Sequence, residues 1–349
     1  MPDWLSNFLE YALDFSNLLN ASISASWLIL AVIVLRIILK KAPKWVNVAL
    51  WGIVALRLLM PFSIESAFSL IPSAETVSSQ VLQAGPVVGQ QSAYLEIVTN
   101  PSYGNPVTVD LDSSISSFQI DLMKWTFLWL LGVLVMLIYT AICYLSLRRK
   151  LRTAVILRDN IYQSEHVDSP FVLGILKPKI YLPYAMDGQN LHYVVGHEQA
   201  HIRRKDHWWK PLGFLLLTIH WFNPLMWVAY ILLCRDIELA CDEKVIAELG
   251  NEQRADYTQA LVACAVNRRM IAACPLAFGE NGVKGRVKSV LHYKKPAFWV
   301  LVASVLVCVV MAVCFLTNPK SKEETPEITP TPTPTPSPVV TEPPEVSPM

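Results

Sequence analysis

His197-Glu198-Gln199-Ala200-His201 sets two imidazoles four residues apart with a carboxylate between them. On a helix, positions i and i+4 share a face, so both rings can reach one ion. Neutral imidazole suits Zn²⁺, at about 2.0–2.1 Å. Glu198 then lies beside that face, placed as general base for a zinc-bound water whose pKa the ion draws towards about 7. A catalytic zinc needs a third protein ligand and an open position. Glu238-Leu239-Ala240-Cys241-Asp242 offers both a ligand, Glu238, and a carboxylate on the same helical face, Asp242. Asp242 can accept a proton from a ligand histidine and fix its tautomer. The plain alternatives are two surface histidines and an ordinary acidic face, since Asp236 and Glu243 flank the pair. The two motifs together favour zinc. Three ligands plus Glu198 favour catalysis over a structural site, which four protein ligands usually close.

These groups need elements to hold them. Leu191 to Lys210 lacks Gly and Pro apart from Gly196, which predicts a helix capped by Asn190 or Asp187. The charged run Arg203 to His207 reads as its solvated end. His201 and Glu238 must meet at one ion, so the apolar stretch 211–233 between them cannot cross a membrane once. It is interrupted at His220-Trp221-Phe222-Asn223-Pro224, where Pro224 disfavours helix at Asn223. The expectation is two short helices in a hairpin that dips into the membrane and returns. Trp208 and Trp209 mark the interface, and His220 bonds to the turn. Phe171 to Leu173 and Lys179 to Leu182 read as strands joined through Gly174 to Pro178. Their edge could align an extended peptide, or the hairpin could be purely structural. Tyr257 and His207 are candidates for stabilising an oxyanion, and the sequence selects neither.

Composition places the whole in a bilayer. Of 349 residues, 53% are hydrophobic and only 16% charged, against roughly 25% in a typical soluble domain. A net charge of +1 from 29 basic and 28 acidic residues excludes a bulk field for nucleic acid. Four runs suit a span of about 20 residues: Ser22 to Leu39, Trp45 to Ile64, Trp125 to Leu147 and Ala297 to Leu316. Arg57, inside the second, reads as snorkelling to the interface. Lys and Arg are missing from Met1 to Leu35 and from Ser63 to Met123, and they cluster at 36–44, 148–152 and 288–295. The positive-inside rule then puts both termini outside and 148–296 in the cytosol. The acidic N-terminal flank argues against a cleaved signal peptide. The predicted organisation is two transmembrane helices over 1–64, an extracellular loop over 65–123 and a transmembrane helix over 124–147. A cytosolic zinc peptidase domain follows over 148–296, with the re-entrant hairpin at 211–233. A last transmembrane helix covers 297–316, and a Pro/Thr-rich extracellular disordered tail covers 317–349, where ten of the 24 prolines lie. Seven cysteines without a Cys-x-x-Cys pair predict neither disulfides nor a thiolate metal site.

The residues resemble a known family, the BlaR/MecR-type membrane zinc peptidases (gluzincins) that act as antirepressors of β-lactam resistance. The resemblance runs through Ser169 to Pro183, His197 to His201, His220 to Leu225 and Glu238 to Glu243. It implies a mainly α, polytopic membrane protein with a cytosolic zincin-like domain. It also implies Zn²⁺ held by His197, His201 and Glu238, with Glu198 as base and Asp242 behind the ligands. Members are expected to cleave a cytosolic winged-helix repressor of the BlaI/MecI type, or themselves. Here no Ser-x-x-Lys occurs and a Pro-rich tail stands where the family's penicillin-binding sensor would be. The function expected is a regulatory membrane zinc endopeptidase. The alternatives are a membrane-protein quality-control metallopeptidase and a non-catalytic receptor or scaffold with structural zinc. The partners expected are the lipid bilayer and a cytosolic protein substrate, with no direct nucleic acid; a homo-oligomer is left open.

Overall fold

The structure is a computed structural model and describes residues 15–59, 64–66, 69–70, 111–184, 186, 188–250, 252–266 and 283–318. For 111–123 it describes the backbone only. Most of the expected outer loop, the expected tail beyond Asn318, Asp187 and Cys274 therefore lie outside the described residues.

The fold is mainly helical. Helices α1 (Phe15–Ile38), α2 (Lys44–Leu59), α3 (Leu111–Lys150) and α9 (Phe298–Leu316) carry the four apolar runs. Among the described residues, three helices are long and apolar enough to cross a membrane, over Asn17–Ile38, Lys124–Thr153 and Phe298–Leu316. Helix α2 has 16 residues. That is about 24 Å, short of a core of about 30 Å. Its run continues past Leu59 into residues outside the description. Arg57 sits in its last turn. Helix α3 is already helical from Leu111.

The apolar stretch 211–233 folds back on itself, though not as two short helices: the first has 14 residues, and the second runs for 25 and goes on to carry Glu238 and Asp242. Helix α5 (Asp206–Ile219) runs in, the chain turns over His220 to Asn223, and α6 (Pro224–Glu248) runs out. Pro224 opens α6, and Asn223 is its extended N-cap, accepting from the Leu225 amide. His220 is buried and its Nδ1 lies 3.1 Å from the Leu216 carbonyl. The tip is gripped on two sides. Asn223 Nδ2 donates to Ser22 Oγ at 2.8 Å and to Ser26 Oγ at 2.9 Å on α1. Trp129 of α3 donates to the Ile219 carbonyl, and Trp221 returns a bond to the Trp129 carbonyl. Gly132 is needed here, because a Cβ would fall 2.2 Å from the Trp221 ring. One apolar cluster joins the hairpin to the spans, including Leu28 and Ile29 of α1, Trp51 and Val54 of α2, Leu217 of α5, Ile237 of α6 and Phe315 of α9. Truncating such residues costs about 2–5 kcal/mol each.

Beyond the hairpin lies a small sheet of order β2-β3-β5-β4, built from Val155–Arg158, Ile161–Ser164, Lys179–Pro183 and Phe171–Leu173. The β4/β5 hairpin is the one expected from the sequence. Gly174 is at φ 111°, and a Cβ there would meet the Lys177 carbonyl at 2.7 Å. The β2/β3 hairpin, turning at Asp159 with φ 45°, was not expected. Ile161, Ile180 and Leu182 of this sheet pack with Val194 of α4 (Gly188–Arg203) and Ala260 of α7 (Arg254–Val266). A last cluster joins Ala200 of α4, Cys241 and Val245 of α6, Tyr257 of α7 and Val290 of α8 (Val283–Leu291). At the far end of the bundle, β1 (Ile64–Glu65) pairs in parallel with β6 (Thr317–Asn318).

Candidate metal centre

Helix α4 presents His197 and His201 from one face, 4.7 Å apart between ring centroids. It does not continue to Lys210 as the sequence suggested. It stops at Arg203, Lys205 takes a left-handed φ of 61°, and α5 starts at Asp206. Nor does Asn190 cap it, since Asn190 lies inside its first turn. Helix α6 crosses behind and brings in Glu238. His197 Nε2 and His201 Nε2 are 3.1 Å apart, and Glu238 Oε2 is 3.5 Å from each. Ligands about 2.0 Å from a tetrahedral ion stand about 3.3 Å from one another. The three atoms thus form a triangle of the size one such ion needs.

Each corner is held from behind. His201 Nδ1 is 2.8 Å from Asp206 Oδ2, so Nδ1–H donates there and the Nε2 lone pair faces the triangle. Asp206 is buried and also accepts from Arg204 Nε at 3.1 Å. His197 Nδ1 lies 2.9 Å from the Tyr257 hydroxyl, which donates to Asp242 Oδ1 at 2.7 Å. Asp242 therefore acts on His197 through Tyr257; its own oxygen is 3.4 Å from Nδ1. Glu238 Oε1 accepts from Lys210 Nζ at 2.8 Å. Arg286 of α8 grips Asp242 with two bonds of 2.7 Å.

The electrostatics call for positive charge. Burial would favour neutral Glu238, but Lys210, His201 and Arg286 hold its carboxyl well below the usual range. Burial would also depress His197, yet Cys241 and Glu238 outweigh it and push its pKa up to about 10. His201 is raised as well, against the same burial, chiefly by Cys241 and Glu238.

Glu198 is buried, at 8% exposure, and makes no hydrogen bond or ion pair among the described residues. It is thus the one carboxylate of the motif left available. Tyr257, considered for the oxyanion, is committed between His197 and Asp242. His207 Nδ1 is buried without a hydrogen-bond partner among the described residues.

Several residues were not foreseen. In a straight helix Asp206 would sit about 140° away from His201, five residues at 100° each; the break at Lys205 brings it back. Lys210 and Arg286 arrive from other elements and no spacing announces them; Tyr257 was considered only for the oxyanion, not as the link between His197 and Asp242. Cys241 is the exception among the cysteines. Its Sγ forms a close group with the two histidines, within 4.8 Å of a ring nitrogen of each. It lies 3.6 Å from His197 Nδ1, the nitrogen that faces Tyr257 rather than the triangle.

The sequence resembles known proteins in part. The BlaR1 peptidase M56 family profile matches residues 16–290. The methicillin resistance mecR1 protein of Staphylococcus aureus is 27% identical over 141 residues, 38% of this chain and 24% of that protein. The protein of that name in Staphylococcus epidermidis gives the same figures. The regulatory protein BlaR1 of Bacillus licheniformis is 23% identical over 193 residues, 48% of this chain and 32% of that protein. The match therefore spans only a quarter to a third of these relatives' length. The chain belongs to the BlaR1 peptidase M56 family, and its apolar helices make it a membrane protein.

Proposed function

We propose that this family member is an integral membrane zinc endopeptidase with a cytosolic active site, acting in regulatory signalling. The observation that carries the reading is the triangle of His197 Nε2, His201 Nε2 and Glu238 Oε2, with edges of 3.1, 3.5 and 3.5 Å, in a motif whose Glu198 has no partner among the described residues. His197, His201 and Glu238 would hold the metal. When bound, zinc would polarise the scissile carbonyl and acidify a water. Glu198 takes that water's proton as the oxygen attacks, and delivers it to the leaving amine. Asp206 and the Tyr257–Asp242 pair keep each Nδ1 protonated, and Lys210 keeps Glu238 ionised.

Edge strand β4 pairs only with β5 among the described residues, which leaves its other edge to align an extended peptide. Membrane orientation is supported by basic residues at the site's end of the bundle. Arg36 and Lys44 both bond to α6 there, to Asp236 and Glu243. The β1/β6 pair closes the opposite end. The positive-inside rule then puts the site in the cytosol. The relatives are named for resistance and regulation, so a cytosolic winged-helix repressor of the BlaI/MecI type is the substrate to try first, with self-cleavage beside it.

Cys241 favours a second reading, a structural zinc closed by four protein ligands in a non-catalytic receptor. One experiment separates the two. The full chain in detergent is assayed for bound zinc and for cleavage of the repressor, alongside Glu198→Gln and Cys241→Ser. The peptidase reading expects Glu198→Gln to keep zinc and lose cleavage, and Cys241→Ser to keep both. Cleavage retained by Glu198→Gln contradicts it.

A further inference from the structure

Arg286 does more than hold Asp242. Its guanidinium is 6% exposed and reaches past the carboxylate to the triangle itself. NH2 lies 3.2 Å from His197 Nε2, and NH1 lies 3.3 Å from Glu238 Oε2. These are two of the three atoms that the proposed metal site uses. We propose that Arg286 competes with metal for His197 and Glu238, and that metal uptake requires it to withdraw from these two while it keeps its grip on Asp242. The inference rests on the metal-site reading above.

Three arguments support it. His197 Nε2 has one lone pair, which can take a proton, an N–H donor such as the Arg286 guanidinium, or a metal, one at a time. A guanidinium cannot lose its charge to make room, unlike a lysine or a histidine. Two cations on shared donors in a buried site repel each other strongly, because the surrounding medium screens little. The contacts also divide into two strengths. The fork onto Asp242 is short and bidentate at 2.7 Å, whereas the contacts to the triangle are 3.2 and 3.3 Å. The first set anchors and the second set yields.

Two consequences follow for the chain. Arg286 stabilises the metal-free fold by supplying charge that Glu238 and the histidines attract. It also lowers the affinity for metal. Helix α8, through Val290, packs against Cys241, Val245 and Tyr257, so a change at Arg286 is felt on α6 and α7.

The test removes the anchor first. Arg286→Met alone would strand a buried Asp242, so Asp242→Asn is compared with Asp242→Asn/Arg286→Met, which leaves no unpaired charge. Zinc affinity is measured on the full chain in detergent by chelator competition. The expected result is at least tenfold tighter zinc in the double variant than in Asp242→Asn, with a larger zinc-induced rise in melting temperature. Equal or weaker binding in the double variant makes Arg286 a mere support for Asp242 and overturns the proposal. Failure of the unaltered chain to bind zinc overturns the metal site and this inference together. Hydrogen exchange on the unaltered chain gives a second reading that needs no variant. Zinc should slow exchange in α4 and α6 but speed it over 283–291; slowing throughout would contradict the withdrawal of Arg286.

Discussion

Helix α6 carries two pairs of acids that look alike in the sequence and face opposite ways. Glu238 and Asp242 look into the candidate metal centre, where histidines, Lys210 and Arg286 meet them. Asp236 and Glu243 look at the membrane helices. Asp236 is fully buried and accepts from Arg36 Nε at 2.6 Å, Arg36 NH2 at 2.7 Å and Trp51 Nε1 at 2.9 Å. Glu243 accepts from the Lys44 amide at the start of α2. Two residues turn a helix by about 200°, which is why Asp236 and Glu238 part company. One face therefore assembles chemistry, and the other fastens that chemistry to α1 and α2. A shift of those helices would be transmitted to Glu238 through a single rigid element.

If the two faces are distinct, substitutions on one should spare what the other does. The largest effect belongs to the site. Glu198→Gln should lower cleavage by about 10²–10⁴-fold with bound zinc unchanged, read by kinetics beside metal analysis. On the membrane face, Arg36→Met strands Asp236 in the interior and should cost about 3–5 kcal/mol of stability. Zinc per folded molecule should stay the same, as denaturation and metal content together would reveal. Loss of zinc without loss of stability would erase the distinction.

Smaller changes grade the outer supports of the ligands. Asp206→Asn should weaken zinc about 10–100-fold, because His201 exchanges a charged acceptor for a neutral amide that can also turn its NH2 towards the ring. Tyr257→Phe should fall near the lower end of that range, since the ring stays and only the relay to Asp242 is lost. The mildest probe is pH. In the metal-free protein the His197 pKa stands at about 10, above its ordinary 6.5. A raised histidine gives stability that is complete below about pH 6.5 and fades as pH climbs towards 10. The same proton competes with metal. Melting curves with and without chelator should show the metal-free protein weakening over that window while zinc binds more tightly.

Much of this was legible in the sequence for a physical reason. The i, i+4 pairs on α4 and α6 are local, so spacing alone places His197 beside His201 and Glu238 beside Asp242. Pro224 is local too, and with the need for His201 to meet Glu238 it foretold the hairpin. The turn at Lys205 was not legible, because a lysine at positive φ leaves no mark in composition. Asp206 was hidden with it and read as a solvated charge. Asp236 was likewise hidden among its neighbours, since its partner Arg36 is 200 residues away. Arg286 comes from α8, and Tyr257 lies sixty residues from His197. Such pairings are set by packing rather than periodicity.

The central claim is that His197, His201 and Glu238 form the inner ligand set and Cys241 stands outside it. Zinc-edge X-ray absorption on the zinc-loaded full chain tests this most directly. The account predicts nitrogen and oxygen neighbours only, at about 2.0–2.1 Å, with the imidazole signature of two histidines. A sulfur neighbour at about 2.3 Å would put Cys241 on the metal and contradict it.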